Sequence, residues 1–127
     1  MAEVKRITDD KGAQVIFDSV AGPDFGRCVE AATSGGMLIV YGMQGGAEAR
    51  FPVMPLLGRN LTIRGFGLTS VTGDDAKLKM LKDFIVPGLA SGDFKLSIAK
   101  VFQFDDIVEA HRYLEAGKQI GKIVVTV

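Results

Sequence analysis

Two kinds of hydrophobic run follow one another along the chain. Short blocks of consecutive apolar residues, Val15-Ile16-Phe17 and Met37-Leu38-Ile39-Val40-Tyr41, each end in a glycine-bearing stretch, Asp18-Ser19-Val20-Ala21-Gly22 and Gly42-Met43-Gln44-Gly45-Gly46. Blocks of this kind read as strands of a buried parallel sheet. Between them Phe25, Cys28, Val29 and Ala32 recur at helical spacing, behind Pro23, which suits a first helical turn. Gly35-Gly36 is expected to stop that helix. A third strand, Leu61-Thr62-Ile63-Arg64-Gly65-Phe66, alternates instead of running apolar, which predicts an exposed face or a sheet edge.

Before these, Met1 to Thr8 reads as the tail of a helix, with Val4 and Ile7 on one face and Gly12 suited to a left-handed cap. It has no visible start signal, so a truncated frame is expected. Phe51 to Leu57, with Pro52 and Pro55, predicts a loop holding a short helical piece. Asp74 to Leu89 predicts the longest helix, with Leu78, Leu81 and Ile85 as its stripe, Phe84 beside it, and an end or kink at Pro87-Gly88. Lys100 to Phe104 reads as a strand. Asp105 is expected to cap a helix with the stripe Ile107, Ala110, His111 and Leu114, which Gly117 stops. Ile123 to Val127 closes the chain as a strand. Strands alternating with helices predict an α/β fold with a parallel sheet and right-handed crossovers.

Ligands of such sheets bind beyond the carboxyl ends of the strands. Those ends, Asp18-Ser19-Val20, Tyr41-Gly42-Met43-Gln44 and Phe66-Gly67-Leu68, should share one rim. Glycines there either let a flat ligand approach the backbone or simply turn the chain.

Composition narrows the classes. Fifteen Lys plus Arg balance fifteen Asp plus Glu, so no basic field marks a nucleic-acid partner. No apolar run approaches the roughly 20 residues of a membrane span. The opening Met1-Ala2-Glu3-Val4-Lys5-Arg6 lacks a signal-peptide core, and a cytoplasmic protein is expected. Cys28 is the only cysteine, which excludes an intrachain disulfide and a cysteine zinc cluster. The 127 residues are 47% hydrophobic. That content implies either apolar surface meeting a partner or missing domain, or a Gly- and Ala-rich chain with fully buried strands.

Gly12-Ala13-Gln14-Val15-Ile16-Phe17-Asp18-Ser19-Val20-Ala21-Gly22 resembles the "GaDvvfDsvGG" stretch of quinone oxidoreductases, and Gly35-Gly36-Met37-Leu38-Ile39-Val40-Tyr41-Gly42 resembles their "GGrlvvyG" strand. Leu61 to Phe66 is similar to the strand that follows. Glu109-Ala110-His111-Arg112-Tyr113-Leu114-Glu115-Ala116-Gly117, then Gly121-Lys122-Ile123-Val124-Val125, is similar to the ending "EAHryleSg…GKvVl". Nearly the whole chain thus resembles the carboxyl-terminal part of a medium-chain dehydrogenase/reductase of the quinone oxidoreductase type.

The resemblance implies a partial Rossmann-type doubly wound parallel sheet, its second half, with helices on both faces. Residues 1–127 would be the carboxyl-terminal portion of an NAD(P)-binding domain plus a segment returning to a catalytic domain that is missing, as is the glycine-rich phosphate loop. By the same resemblance, Ser19 and Val20 line the adenosine and nicotinamide-ribose side of the groove. Tyr41, Gly42, Met43 and Gln44 approach the nicotinamide. Phe66, Gly67 and Leu68 meet its carboxamide and ring through backbone groups, and Lys122 lies near the pyrophosphate unless it is simply a solvated lysine. The implied cofactor is NADP(H) in preference to NAD(H), with no metal. The implied activity is hydride transfer to a quinone or enone, with no catalytic residue from this part and an inactive isolated chain. The implied partner is a second copy across the Leu61–Phe66 edge. The alternatives are a homodimerising interaction module or split-enzyme subunit, and a fragment of a polyketide enoyl reductase or of a zinc alcohol dehydrogenase. Other residues read as structural: His111 packed and hydrogen-bonded on its stripe, Cys28 an inert small hydrophobe, Asp18 a turn former.

Overall fold

The computed structural model describes residues 2–127. The chain divides into two compact units, a first ending at Leu78 and a second from Lys79 to Val127.

In the first unit, α1 (Ala2–Ile7) precedes β1 (Ala13–Asp18), and a 3₁₀ turn (Gly22–Asp24) leads into α2 (Phe25–Ala31). Then follow β2 (Ala32–Val40), α3 (Val53–Gly58), β3 (Thr62–Gly65) and the short α4 (Thr69–Thr72). The expected helical position of Met1 lies outside the described residues. The three strands form one parallel sheet in the order β1-β2-β3. The alternating third strand is therefore at an edge, as its pattern predicts.

One face of this sheet holds the core. Ile16, Leu38, Val40 and Ile63 pack with Phe25, Cys28 and Val29 of α2 and with Leu56 of α3, and Leu61 and Ala32 complete the cluster. Phe25 meets Phe51 edge to face at 5.6 Å between ring centres. Helices α2 and α3 cover this face because each carries its apolar stripe toward it. On the other face Val15, Phe17, Tyr41 and Phe66 are exposed.

Several boundaries differ from expectation. Helix α2 stops at Ala31, not at Gly35-Gly36, and Ala32 turns extended with φ −73° and ψ 143°. Ala32 is already paired with Ala13 in the sheet, so strand pairing wins over continuing the helix. Gly35, at φ +72°, then absorbs the register shift between Ala13↔Ala32 and Val15↔Met37. After α1, Asp9 and Asp10 take the left-handed conformation ahead of Gly12, which acidic residues tolerate better than most. Gly12 is also left-handed, and its N–H donates to Thr8 Oγ1 at 3.0 Å.

The longest helix, α5 (Asp75–Ser91), runs through Pro87 without ending there, and Gly92 at φ +80° follows it. None of its residues is buried. Phe84 meets Phe94 at 5.2 Å between ring centres.

The rest of the second unit is β4 (Ile98–Gln103), a 3₁₀ turn (Phe104–Asp106), α6 (Ile107–Glu115) and β5 (Lys122–Thr126), with β4 and β5 parallel. Asp106, not Asp105, stands at the cap of α6, and its side chain makes no capping bond. Phe102 and Ala110 are the buried residues of this βαβ unit. Tyr113 meets Phe102 with tilted rings at 5.8 Å between centres, and the Lys100 ammonium sits over both rings. Gly117 stops the helix at φ +61°.

Candidate functional site

Because the three strands of the first unit are parallel and in register, their carboxyl ends fall on one line. Asp18 lies opposite Val40, and Val40 opposite Gly65. The loops leaving them carry Ser19 and Val20, then Tyr41, Gly42, Met43 and Gln44, then Phe66, Gly67 and Leu68. The rim expected from the strand order is therefore formed, and it brings these residues together. Lys122 belongs to the second unit, where it opens β5 opposite Ile98 and is exposed.

The rim loops are stitched by their backbones. Tyr41 N–H donates to Asp18 C=O at 2.8 Å, Gln44 N–H to Ser19 C=O at 3.3 Å, and Gly45 N–H to Val20 C=O at 2.7 Å. Phe66 N–H donates to Val40 C=O at 2.8 Å, which ties in the third loop. Gly67 C=O accepts from both the N–H and the hydroxyl of Ser70. Among the described residues, the N–H groups of Gly67 and Leu68 have no protein acceptor. They remain free for an acceptor on a ligand.

Asp18 anchors this arrangement. It is 6% exposed, and its Oδ1 accepts from Val20 N–H at 2.8 Å and Ala21 N–H at 3.1 Å, with Oδ2 also 3.1 Å from the latter. The carboxylate thus fills a nest of amides and folds the first rim loop, in line with the turn-forming reading.

Two close backbone approaches fix the glycines. A Cβ on Gly42 would lie within bonding-like range of Ser19 C=O, and one on Gly22 would collide with Gly45 C=O. Gly22 is also left-handed, at φ +67°. Its neighbour Ala21, at φ +52° and ψ −136°, occupies a region nearly confined to glycine. Strain there should be relieved by Ala21→Gly, with a gain of about 1 kcal/mol after the extra chain entropy of glycine is deducted. Urea unfolding checks this, and a loss of stability would show that the loop carries no strain.

Of two residues expected to be structural, His111 departs from its pattern and Cys28 follows it. His111 is exposed and makes no hydrogen bond among the described residues, so it is not the packed, bonded histidine its stripe predicts. Within α6 only Ala110 is buried, and Leu114 is exposed. Cys28 is partly buried against the core, as expected. Burial raises its thiol pKa, and the nearby Asp18 carboxylate raises it further.

Arg59 was not singled out by any local pattern. Its Nη1 donates to Glu30 C=O at 3.0 Å and Ala32 C=O at 2.9 Å, while its own C=O accepts from Gly35 N–H at 2.7 Å. It thereby satisfies carbonyls at the carboxyl end of α2, next to the C-cap Ala32. Its partners lie far off in sequence, so no spacing rule points to it.

The family model described as "Zinc-binding dehydrogenase" matches residues 1–125. The chain belongs to that family. It is 30% identical over 127 residues to highly reducing polyketide synthase 40 of Fusarium pseudograminearum, covering 98% of this chain and 5% of that protein. It is 28% identical over 129 residues to a quinone oxidoreductase-like protein 2 homolog of Nematostella vectensis, covering 97% of this chain and 34% of that one. A crystal structure of an NAD-dependent alcohol dehydrogenase superposes with a TM-score of 0.78 at 28% identity, over 99% of this chain and 34% of that chain. The chain therefore spans a small part of its relatives' length. The medium-chain resemblance and the Rossmann-type α/β class are correct.

The family's description speaks of zinc. Among the described residues no three His, Cys, Asp or Glu side chains are grouped to hold a metal ion. Nor is any described helix long and apolar enough to cross a membrane.

Proposed function

We propose that this chain supplies the nicotinamide-facing half of the cofactor groove of an NADP(H)-dependent reductase that acts on a quinone or enone. The observation that carries this reading is the single rim on which three parallel strands end, locked by Asp18 and by the Gly42–Ser19 approach. Ser19 and Val20 would face the ribose. Tyr41, Gly42, Met43 and Gln44 would border the nicotinamide ring. Phe66, Gly67 and Leu68 would hold the carboxamide, whose oxygen finds the free N–H groups of Gly67 and Leu68. Exposed Tyr41, Met43 and Leu68 side chains offer the apolar contact a flat ring needs. When bound, the cofactor supplies the hydride, and this chain's part is to orient the ring and exclude water.

Residues 1–127 are, on this reading, the carboxyl-terminal portion of the cofactor domain with its returning segment, in a cytoplasmic enzyme that needs no metal. The free edge of β3 serves a second copy, with exposed Leu57 of α3 sharing a hollow with Ile63. The polyketide synthase likeness favours enones such as enoyl thioesters among the acceptors.

Half a groove without a phosphate-gripping helix end should not turn over alone. The purified chain should give no NADPH oxidation with a benzoquinone or an enone. Residues 1–127 exchanged for the matched segment of the Nematostella protein should restore a rate, and with NADPH more than NADH. A folded chimera that binds neither cofactor would overturn the reading, and a rate from the isolated chain would overturn its inactivity.

A further inference from the structure

The strands of the first unit also share an end opposite the rim. Gly12 leads into β1, Thr33 and Ser34 follow the first residue of β2, and Arg59 precedes β3. With Lys5 of α1 and Lys11 they border a hollow of about 260 Å³, which Asp10 and Glu30 also line. Backbone carbonyls at this end already have donors. Lys5 C=O accepts from Asp10 N–H at 2.9 Å, and Thr8 C=O from Lys11 N–H at 3.0 Å. Glu30 and Ala32 C=O accept from Arg59 Nη1. What remains is mostly donors. Among the described residues, Arg59 Nε and Nη2, both lysine ammonium groups and the hydroxyls of Thr33 and Ser34 have no protein acceptor. None of the three cations is within ion-pair distance of a described carboxylate, Asp10 and Glu30 included.

We infer that this hollow binds a phosphate group, carried by a small hydroxylated ester or free. Arg59 is its fixed point. The residue is half-buried, and two carbonyls hold its Nη1, so the plane of the guanidinium is set before a ligand arrives. A guanidinium held in this way offers its remaining N–H groups as the fork that suits an oxyanion. Capping α2 accounts for Nη1 but not for the two lysines and two hydroxyls around it. A phosphate has oxygens enough to engage Arg59, both lysines and a hydroxyl together, whereas a carboxylate has only two. The two carboxylates of the hollow repel a bare anion but accept protons from hydroxyl groups, so a hydroxylated ester is the tighter ligand. The inference is independent of the cofactor reading, because the site lies at the other end of the strands from the rim.

The test titrates the ¹⁵N-labelled chain 1–127 with inorganic phosphate and, separately, with glycerol 3-phosphate, at constant pH and ionic strength. Saturable shifts are expected at the amides of Thr33 and Ser34 and at Arg59 Nε–H, with the rim amides of Gly67 and Leu68 unmoved. Replacing Arg59 would confuse folding with binding, since it also serves the end of α2. The double variant Lys5→Gln, Lys11→Gln leaves that contact intact and changes only exposed side chains. It should keep the parent's circular dichroism and bind either ligand about tenfold more weakly. No saturable shift with either ligand, shifts centred on the rim, or undiminished binding by the folded double variant would each overturn the inference. Tighter binding of glycerol 3-phosphate assigns the site to an ester. Equal or tighter binding of inorganic phosphate upholds the phosphate site and assigns it to the free ion.

Discussion

Gly42→Ala is expected to destabilise the first unit by about 3 kcal/mol or more. The added methyl has no free direction. It would meet the Ser19 carbonyl oxygen head on, and the Ser19 carbonyl carbon and Cα both lie 3.1 Å from the Cβ position. These are backbone atoms, so no rotamer change relieves the clash. To make room the second rim loop must lift away from the first. That movement breaks the bonds from Gln44 N–H to Ser19 C=O and from Gly45 N–H to Val20 C=O, each worth about 1 kcal/mol net. The same change in Gly65, where an added Cβ would meet no heavy atom within 4 Å, should cost less than about 1 kcal/mol. Urea unfolding of both variants provides the comparison. Equal losses in the two would mean that the loops do not touch as described.

Asp18→Ala should cost about 2–4 kcal/mol. The deleted carboxylate is nearly buried and satisfies the N–H groups of Val20 and Ala21. Without it both donors lose their partner in a site that gives water little access, and unpaired buried donors cost more than the bonds themselves are worth. Asp18→Asn should cost less, since one amide oxygen can still accept from Val20. It also separates charge from shape. The Asp18 carboxylate helps raise the Cys28 thiol pKa, second to burial itself. Removing the charge lowers that pKa, so more thiolate is present at a given alkaline pH. Alkylation of Cys28 by iodoacetamide should therefore be faster in Asp18→Asn than in the parent at pH 8, under conditions where both remain folded. An unchanged or slower rate would place the carboxylate too far from Cys28 to matter.

Both substitutions act on the loops that form the rim, and the two loops differ in how far local pattern reveals them. The strand cores were legible because an apolar block needs only its own residues to announce itself. Val15 to Phe17 and Met37 to Val40 lie in strands. The edge position of β3 was legible from Thr62-Ile63-Arg64 alternation. Asp18 as a turn former was legible because its acceptors' partners are two and three residues on. Arg59 was not, because its carbonyl partners are 27 and 29 residues away. Nor was the end of α2, where Ala32 leaves the helix to pair with Ala13. Of the end or kink expected at Pro87-Gly88, the end does not occur, because α5 continues to Ser91. His111 sits on a stripe whose neighbours Ala110 and Leu114 are buried and exposed respectively, so helical period alone did not say which side packs.

By itself, then, the order of residues determined the α/β alternation, the parallel arrangement and the common rim, because strand propensity, turn chemistry and crossover rules all operate over short distances. It also carried the family likeness that the matched zinc-binding dehydrogenase model bears out. The tertiary structure decided what depends on contacts between distant segments. It put Gly42 against Ser19 and Gly22 against Gly45, held Ala21 left-handed, recruited Arg59 to the end of α2, and left one sheet face bare while covering the other. Periodicity states that a residue has two sides, but only packing against a particular neighbour selects which of them is buried.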